Sequence, residues 1–185
     1  MTLRELLDDT TASWNRERPD LELAAMGTAL RINQLMNAAL RGAEVLFAPH
    51  GITVGEFDVL AALRRGGGGT VLTPTTLARV AMISPAGMTN RLNRLEAAGL
   101  IVRRPDPDDR RGSLVELTPN GYATADRAVE DLVAAENELF RELSPTERQR
   151  LDRILDKLID RLDRGPTDER PPPPAATRER REIIG

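Results

Sequence analysis

Two helix starts stand close together in the middle of the chain, each a hydroxyl residue followed by proline: Thr73-Pro74 and Ser84-Pro85. A serine or threonine at the N-cap offers its oxygen to the unpaired N–H groups of the first turn. Proline at the first helical position has no N–H to leave unsatisfied, and its φ is already helical. The pair predicts a short helix through Leu77 and Val80, a turn at Ala81-Met82-Ile83, and a second helix from Ser84. Helices joined this tightly form a helix-turn-helix. Past Gly99 the character changes. IVRR and SLVEL read as strands, and the PDPDDRRG between them predicts a hairpin, or wing.

Helices flank this centre on both sides. Leu3, Leu6 and Leu7 predict a short amphipathic helix reaching about Trp14, which Pro19 ends. Asp20 is the expected N-cap of the next helix, which carries Leu23, Met26, Leu30, Ile32, Leu35, Met36 and Leu40 and ends near APHG. Thr53 is positioned to cap a third, holding Phe57, Leu60, Ala61 and Leu63 and stopping at Gly66–Gly69. No Lys-Ser/Thr pair follows those glycines, as a phosphate loop requires, so they read as a flexible loop. Thr118-Pro119 starts a long helix through Leu132, Leu139 and Leu143, and Ser144-Pro145 starts the last. There Leu151, Ile154, Leu155, Leu158, Ile159 and Leu162 follow an i, i+3, i+4 stripe.

Helix, turn, helix, strand, wing, strand between flanking helices is the order of a winged helix. The expected fold class is mainly α (α+β), a winged helix-turn-helix whose N- and C-terminal helices form a dimerisation domain. The expected segments are an N-terminal helix and linker (1–19), a core dimerisation helix (20–52), the winged helix-turn-helix (53–118), C-terminal dimerisation helices (119–164) and a tail (165–185). The tail is rich in proline and charge and is expected to be mostly disordered. The flanking helices carry more apolar stripe than a compact winged helix needs to cover itself, which independently predicts a homodimer.

Composition narrows the function. With 3% aromatic residues in 185, aliphatic side chains must fill the core. The chain has no cysteine, which excludes disulfides and thiolate metal sites and fits a reducing cytosol. Its single histidine, His50, lies between Pro49 and Gly51 and reads as a helix-end residue. No metal site, cofactor or catalytic constellation is expected. An acid–base pair of Asp58 with Arg91 would lack a nucleophile, a histidine and a phosphate loop. No apolar run approaches the ~20 residues that span a bilayer. The acidic start MTLRELLDDT is unlike a signal peptide, so no membrane association and a cytoplasmic location are expected.

The helix from Ser84 can be turned at about 100° per residue. Met88, Leu92 and Leu95 then share one face, the expected buried one, while Ala86, Asn90, Asn93 and Arg94 lie broadly opposite, with Thr89 at one flank. A face of small and polar side chains suits the major groove: asparagine can pair with adenine and arginine with guanine. The helix N-terminus offers N–H groups to a phosphate. Arg110 and Arg111 at the wing tip suit a narrow, electronegative minor groove. Between positions 79 and 114 stand seven arginines (79, 91, 94, 103, 104, 110, 111) against four acids (96, 106, 108, 109), in a chain of net charge −3. The candidate DNA contacts are Thr75, Ser84, Pro85, Ala86, Thr89, Asn90, Asn93, Arg94, Arg110 and Arg111.

The run MTNRLNRLEAAGLIVRRPDPDDRRGSLVELTPNG resembles the MarR family of winged-helix transcriptional regulators. The diagnostic succession is R-L-x-R-L-E-x-x-G-L-I-x-R, then D-R-R, then L-T-x-x-G, matched from Arg91 to Arg103, Asp109 to Arg111 and Leu117 to Gly121. The resemblance covers roughly Met26 to Leu162. It implies a homodimer with interlocking terminal helices, two winged helices on a pseudo-palindromic operator, and repression relieved by a small ligand. The segment TASWNRERPDLELAAM further resembles the added helix and linker of the PecS-like, urate-responsive branch. That resemblance implies an effector site using Trp14, Asp58, Arg91 and Arg103, which hold the residue types expected there.

The helical wheel bears on this independently. Arg91 projects about 60° from Met88, on the buried side and away from Asn90. An arginine near a core needs an acceptor, and Asp58, at the edge of its helix's apolar face, is a suitable one. A planar anion, such as urate or a phenolic acid, could compete for these arginines while stacking on Trp14. The alternative reading keeps the fold as a protein-interaction module without effector control; the arginine-tipped wing argues against it.

Overall fold

A computed structural model describes residues 1–81, 84–107, 109 and 112–164, with Pro85 and Ala86 described in backbone only. The wing-tip candidates Arg110 and Arg111, the side chains of Pro85 and Ala86, and the tail 165–185 lie outside the described residues. The elements are α1 (Leu3–Glu17), α2 (Ala24–Phe47), a 3₁₀ turn (Ala48–His50), α3 (Val54–Arg65), α4 (Pro74–Val80), α5 (Pro85–Ala97), β1 (Ile101–Pro105), β2 (Ser113–Leu117), α6 (Pro119–Leu139) and α7 (Pro145–Asp163). The chain divides into two compact units, 1–33 with 141–185, and 34–140.

The second unit is the winged helix. Its centre is α3, where Val59, Leu60 and Leu63 are fully buried and Phe57 and Ala62 nearly so. Sequence periodicity predicts one apolar face for α3. The buried arc is wider than that face and takes in Val59 and Ala62, because α4, α5, α6 and β2 all pack against the helix; Asp58 and Ala61 remain half-buried and Arg65 exposed. Phe47 stacks on Phe57, their ring centroids 4.3 Å apart, joining the end of α2 to this core. β1 and β2 pair antiparallel from Ile101↔Leu117 to Pro105↔Ser113. Leu72 adds a single bridge to Val115, exchanging hydrogen bonds of 3.0 and 2.8 Å, so the loop before α4 is stitched to the hairpin.

Every expected cap in this unit forms. Thr53, Thr73, Ser84 and Thr118 each accept from the N–H three residues on. The tetraglycine loop is tied at one point, where the Gly69 N–H donates to the Tyr122 hydroxyl at 2.9 Å. Tyr122 also lies under the Arg64 guanidinium, whose Nε donates to Asp126 at 2.5 Å, so the loop and the end of α3 share an anchor on α6. His50, at the end of its 3₁₀ turn, lies 2.7 Å from an Asp131 carboxylate oxygen on α6.

In the first unit α1 opens on a capping box of Thr2 with Glu5, and α7 on one of Ser144 with Glu147. Arg31 of α2 pairs with Asp8 of α1. Asp20 does not cap α2. Both its carboxylate oxygens accept from Arg18, at 2.8 and 2.6 Å, and α2 starts later, its Ala24 N–H donating to Glu22 at 3.1 Å. The α7 stripe of Ile154, Leu155, Leu158, Ile159 and Leu162 is exposed.

The glycine of L-T-x-x-G has a packing reason. A Cβ on Gly121 would meet the Leu100 carbonyl oxygen at 1.9 Å, backbone that cannot swing aside. The same carbonyl accepts the Thr118 N–H at 3.1 Å. Gly121→Ala is therefore expected to lose roughly 3 kcal/mol of stability by forcing α6 off the α5–β1 turn. Urea unfolding of the two proteins, compared at equal slope, checks this.

Candidate nucleic-acid interface and ligand site

α5 carries its polar face by geometry. Met88, Leu92 and Leu95 are each 1% exposed and fix which side faces the core. Thr89, Asn90, Asn93 and Arg94 are exposed. Ser84 is exposed at the N-cap, accepting from the Gly87 N–H at 3.3 Å, and Thr75 is exposed on α4.

Two of the groove-face candidates are held from behind. Arg94 Nε lies 2.9 Å from Oε1 of Glu56, the capping carboxylate of α3. The Asn93 amide oxygen accepts from Arg103 Nη2 at 2.6 Å, and Arg103 Nε donates to Glu96 at 2.9 Å. Arg103, on β1, thus ties the hairpin to the back half of α5. Neighbouring Arg104 pairs across the strands with Glu116 at 2.5 Å. The sequence reading did not single out Glu56 or Glu96. The signal for Glu56 was the T-x-x-E spacing from Thr53, a capping box.

The four candidate effector residues are placed as follows. Trp14 is 48% exposed on α1, beside a shallow surface depression with Asp9, Thr10, Ser13 and Glu17. Asp58 is half-buried on α3 and Arg91 half-buried on α5. The two are electrostatically coupled, yet among the described residues they do not close to an ion pair. The Arg91 guanidinium instead lies across Gly55, where a Cβ would come within 2.2 Å of Arg91 Nε. Arg103 is engaged with Asn93 and Glu96, as above. No cluster among the described residues has the makeup of a metal site.

Burial holds the Asp58 carboxyl above its usual range, against the pull of the Arg91 and Arg65 charges. The folded protein therefore holds this proton more tightly than the unfolded chain. That contribution is present below the unfolded pKa and is lost as pH rises through the folded one. Asp58→Asn, neutral throughout, should melt higher than wild type at about pH 7, with the gain vanishing near pH 3 where both side chains are uncharged. Thermal unfolding at the two pH values measures it; an equal or lower melting point at neutral pH would contradict it.

Comparison with known proteins agrees with this architecture. A model of the MarR family matches residues 50–112. The HTH-type transcriptional regulator PecS of Dickeya dadantii is 34% identical over 155 residues, covering 82% of this chain and 92% of PecS. A mutant MarR from E. coli complexed with operator DNA superposes with a TM-score of 0.61 at 28% identity, covering 78% of this chain and 96% of that one. BpsR of Bordetella bronchiseptica, described for the regulation of its DNA binding by 6-hydroxynicotinic acid, gives a TM-score of 0.57 at 28% identity, covering 70% of this chain and 99% of BpsR. No single helix among the described residues is long and apolar enough to cross a membrane. On its sequence and its fold the chain belongs to the MarR family of winged-helix transcriptional regulators, and is not an enzyme.

Proposed function

We propose that the protein is a homodimeric, ligand-responsive repressor that binds a pseudo-palindromic operator and releases it when a small planar anion, such as urate or a phenolic acid, is bound. The observation that carries the DNA reading is the exposed face of Thr89, Asn90, Asn93 and Arg94 on a helix whose opposite side is buried. Thr75, Ser84, Pro85, Ala86 and the wing residues Arg110 and Arg111 complete the proposed DNA contacts, the last two toward the minor groove. The MarR structure with operator DNA supports this use of the fold.

Dimerisation is supported by apolar surface that each unit exposes. The α7 stripe is uncovered, and within the other unit Leu35, Gly42, Leu46, Leu132 and Leu139 line an apolar groove of about 290 Å³ between α2 and α6. Two-fold proteins read two-fold DNA, with half-sites about one helical turn apart. The test is binding to an inverted repeat selected from random duplexes, with the mass of the free protein from light scattering. Asn90→Ala or Arg94→Ala should relax base preference at one position in each half-site, at about 1–3 kcal/mol per lost contact. A monomer with no sequence preference would sink the reading.

The proposed effector contacts are Trp14, Asp58, Arg91 and Arg103. The attraction between the Asp58 and Arg91 charges supports that pair, and BpsR, whose DNA binding is described as regulated by 6-hydroxynicotinic acid, supports a planar acidic ligand. Arg91 and Arg103 both sit on or against α5, so an anion drawing on either would act on the helix that reads DNA. Urate is expected to weaken operator binding and to change the fluorescence of Trp14, the only tryptophan. Trp14→Phe should blunt that response while leaving operator affinity intact. If urate, related purines and phenolic acids all leave fluorescence and complex unchanged, the effector assignment fails while the DNA reading stands.

A further inference from the structure

Glu56 is a carboxylate 3% exposed, in the first turn of the most buried helix of the winged-helix unit. Its Oε2 accepts from the Thr53 N–H at 2.7 Å and the Thr53 hydroxyl at 2.9 Å, which closes the cap of α3. Capping needs only one oxygen, and a capping box works with glutamine as well as glutamate. The charge at position 56 is therefore surplus to the helix end. A buried carboxylate left without a countercharge is costly. Among the described residues Arg94 is the cation in contact, its Nε 2.9 Å from Oε1.

The two partners differ sharply in environment. The Glu56 side chain is buried, whereas that of Arg94 is 68% exposed. The closest approach runs through Nε, and the two Nη groups carry the remaining four of the five guanidinium N–H donors. The adjacent residue on α3 repeats the arrangement without charge: Gly55 makes room for the Arg91 guanidinium across its Cα. Arg91 and Arg94 are one turn apart on α5. Both rest on the first turn of α3, which fixes how far α5 is rotated about its own axis.

We propose that Glu56 is a positioning residue for operator recognition: from its buried seat at the α3 cap it holds the Arg94 guanidinium ready for a base edge in the groove. This rests on the reading of α5 as the groove helix. An arginine held in place before binding loses less rotamer freedom on contact, and its planar fork meets a guanine bidentately only when so aligned. Glu56 touches no DNA and would act only through Arg94.

The test uses the full chain and the inverted repeat selected with wild-type protein, comparing its affinity with that for a scrambled duplex. Glu56→Gln keeps an acceptor for Thr53 and removes the ion pair. The operator-to-scrambled ratio should fall roughly tenfold, through loss at the operator. Scrambled binding should stay equal or tighten, because a negative charge near the phosphates is gone. In an Arg94→Ala background the same change should move the ratio no further. Glu56→Asp keeps the charge but is one methylene too short to serve both Thr53 and Arg94, and should lower the ratio likewise; it decides the matter if Glu56→Gln fails to fold. A folded variant with the wild-type ratio, or an equal effect with and without Arg94, overturns the proposal. Should wild-type protein itself prefer no duplex, the groove reading falls and the role of Glu56 with it.

Discussion

The burial of most of α3 is the constraint from which the rest of the winged-helix unit follows. A helix with Val59, Leu60 and Leu63 wholly out of water, and Glu56 and Phe57 buried in its first turn, needs its first N–H groups served from within the protein. The N-terminal end is served by Thr53 and Glu56. At the other end the Arg64 side chain reaches Asp126 and Tyr122, and Arg65 Nη2 donates to the Val80 carbonyl at 3.1 Å, closing the end of α4 as well. Glu56 also reaches α5 through Arg94, and the Arg64 and Arg65 contacts use α6 and α4 as partners. Satisfying one helix thereby sets the positions of α4, α5 and α6.

That arrangement determines what α5 can display. Its apolar residues are committed to the core, so its remaining surface is polar by default and small by sequence. A polar helix face by itself is ordinary. This one differs because its longer side chains are constrained. Arg94 is paired with Glu56, Arg91 lies across Gly55, and Asn93 gives its amide oxygen to Arg103. With its oxygen engaged by Arg103, Asn93 keeps only its amide N–H groups for a further partner.

Much of the fold was legible because its boundaries are set by local chemistry. Thr53, Thr73, Ser84, Thr118 and Ser144 all cap where a hydroxyl before a proline or an apolar run said they would, and the strands fell on IVRR and SLVEL. Asp20 misled because an arginine two residues earlier took both its oxygens, a competition that cap preference does not include. The burial of Val59 and Ala62 was hidden because it depends on α6 and β2 arriving from elsewhere in the chain. The Leu72 bridge was hidden because a single residue has no periodicity. The site was legible in its residue types but not in its pairings. Which acid holds which arginine is a matter of tertiary distance, and the wheel that placed Arg91 near Asp58 could not foresee that Gly55 would offer it a seat.

The pairings also explain how a chain of net charge −3 can carry an interface for a polyanion. Arg94, Arg103 and Arg104 are each matched with a carboxylate, Glu56, Glu96 and Glu116. A matched arginine adds little to the long-range attraction that pulls a protein onto any DNA, because the phosphates meet a dipole instead of a bare charge. It keeps its directional donors, which read base edges at short range. Such an interface gives up non-specific affinity and retains discrimination. Under the proposed function the same pairing links the two sites: an anion drawing on Arg103 would compete with Glu96 and Asn93 for a guanidinium shared between strand and helix, and a change in that sharing would reach Asn93 directly.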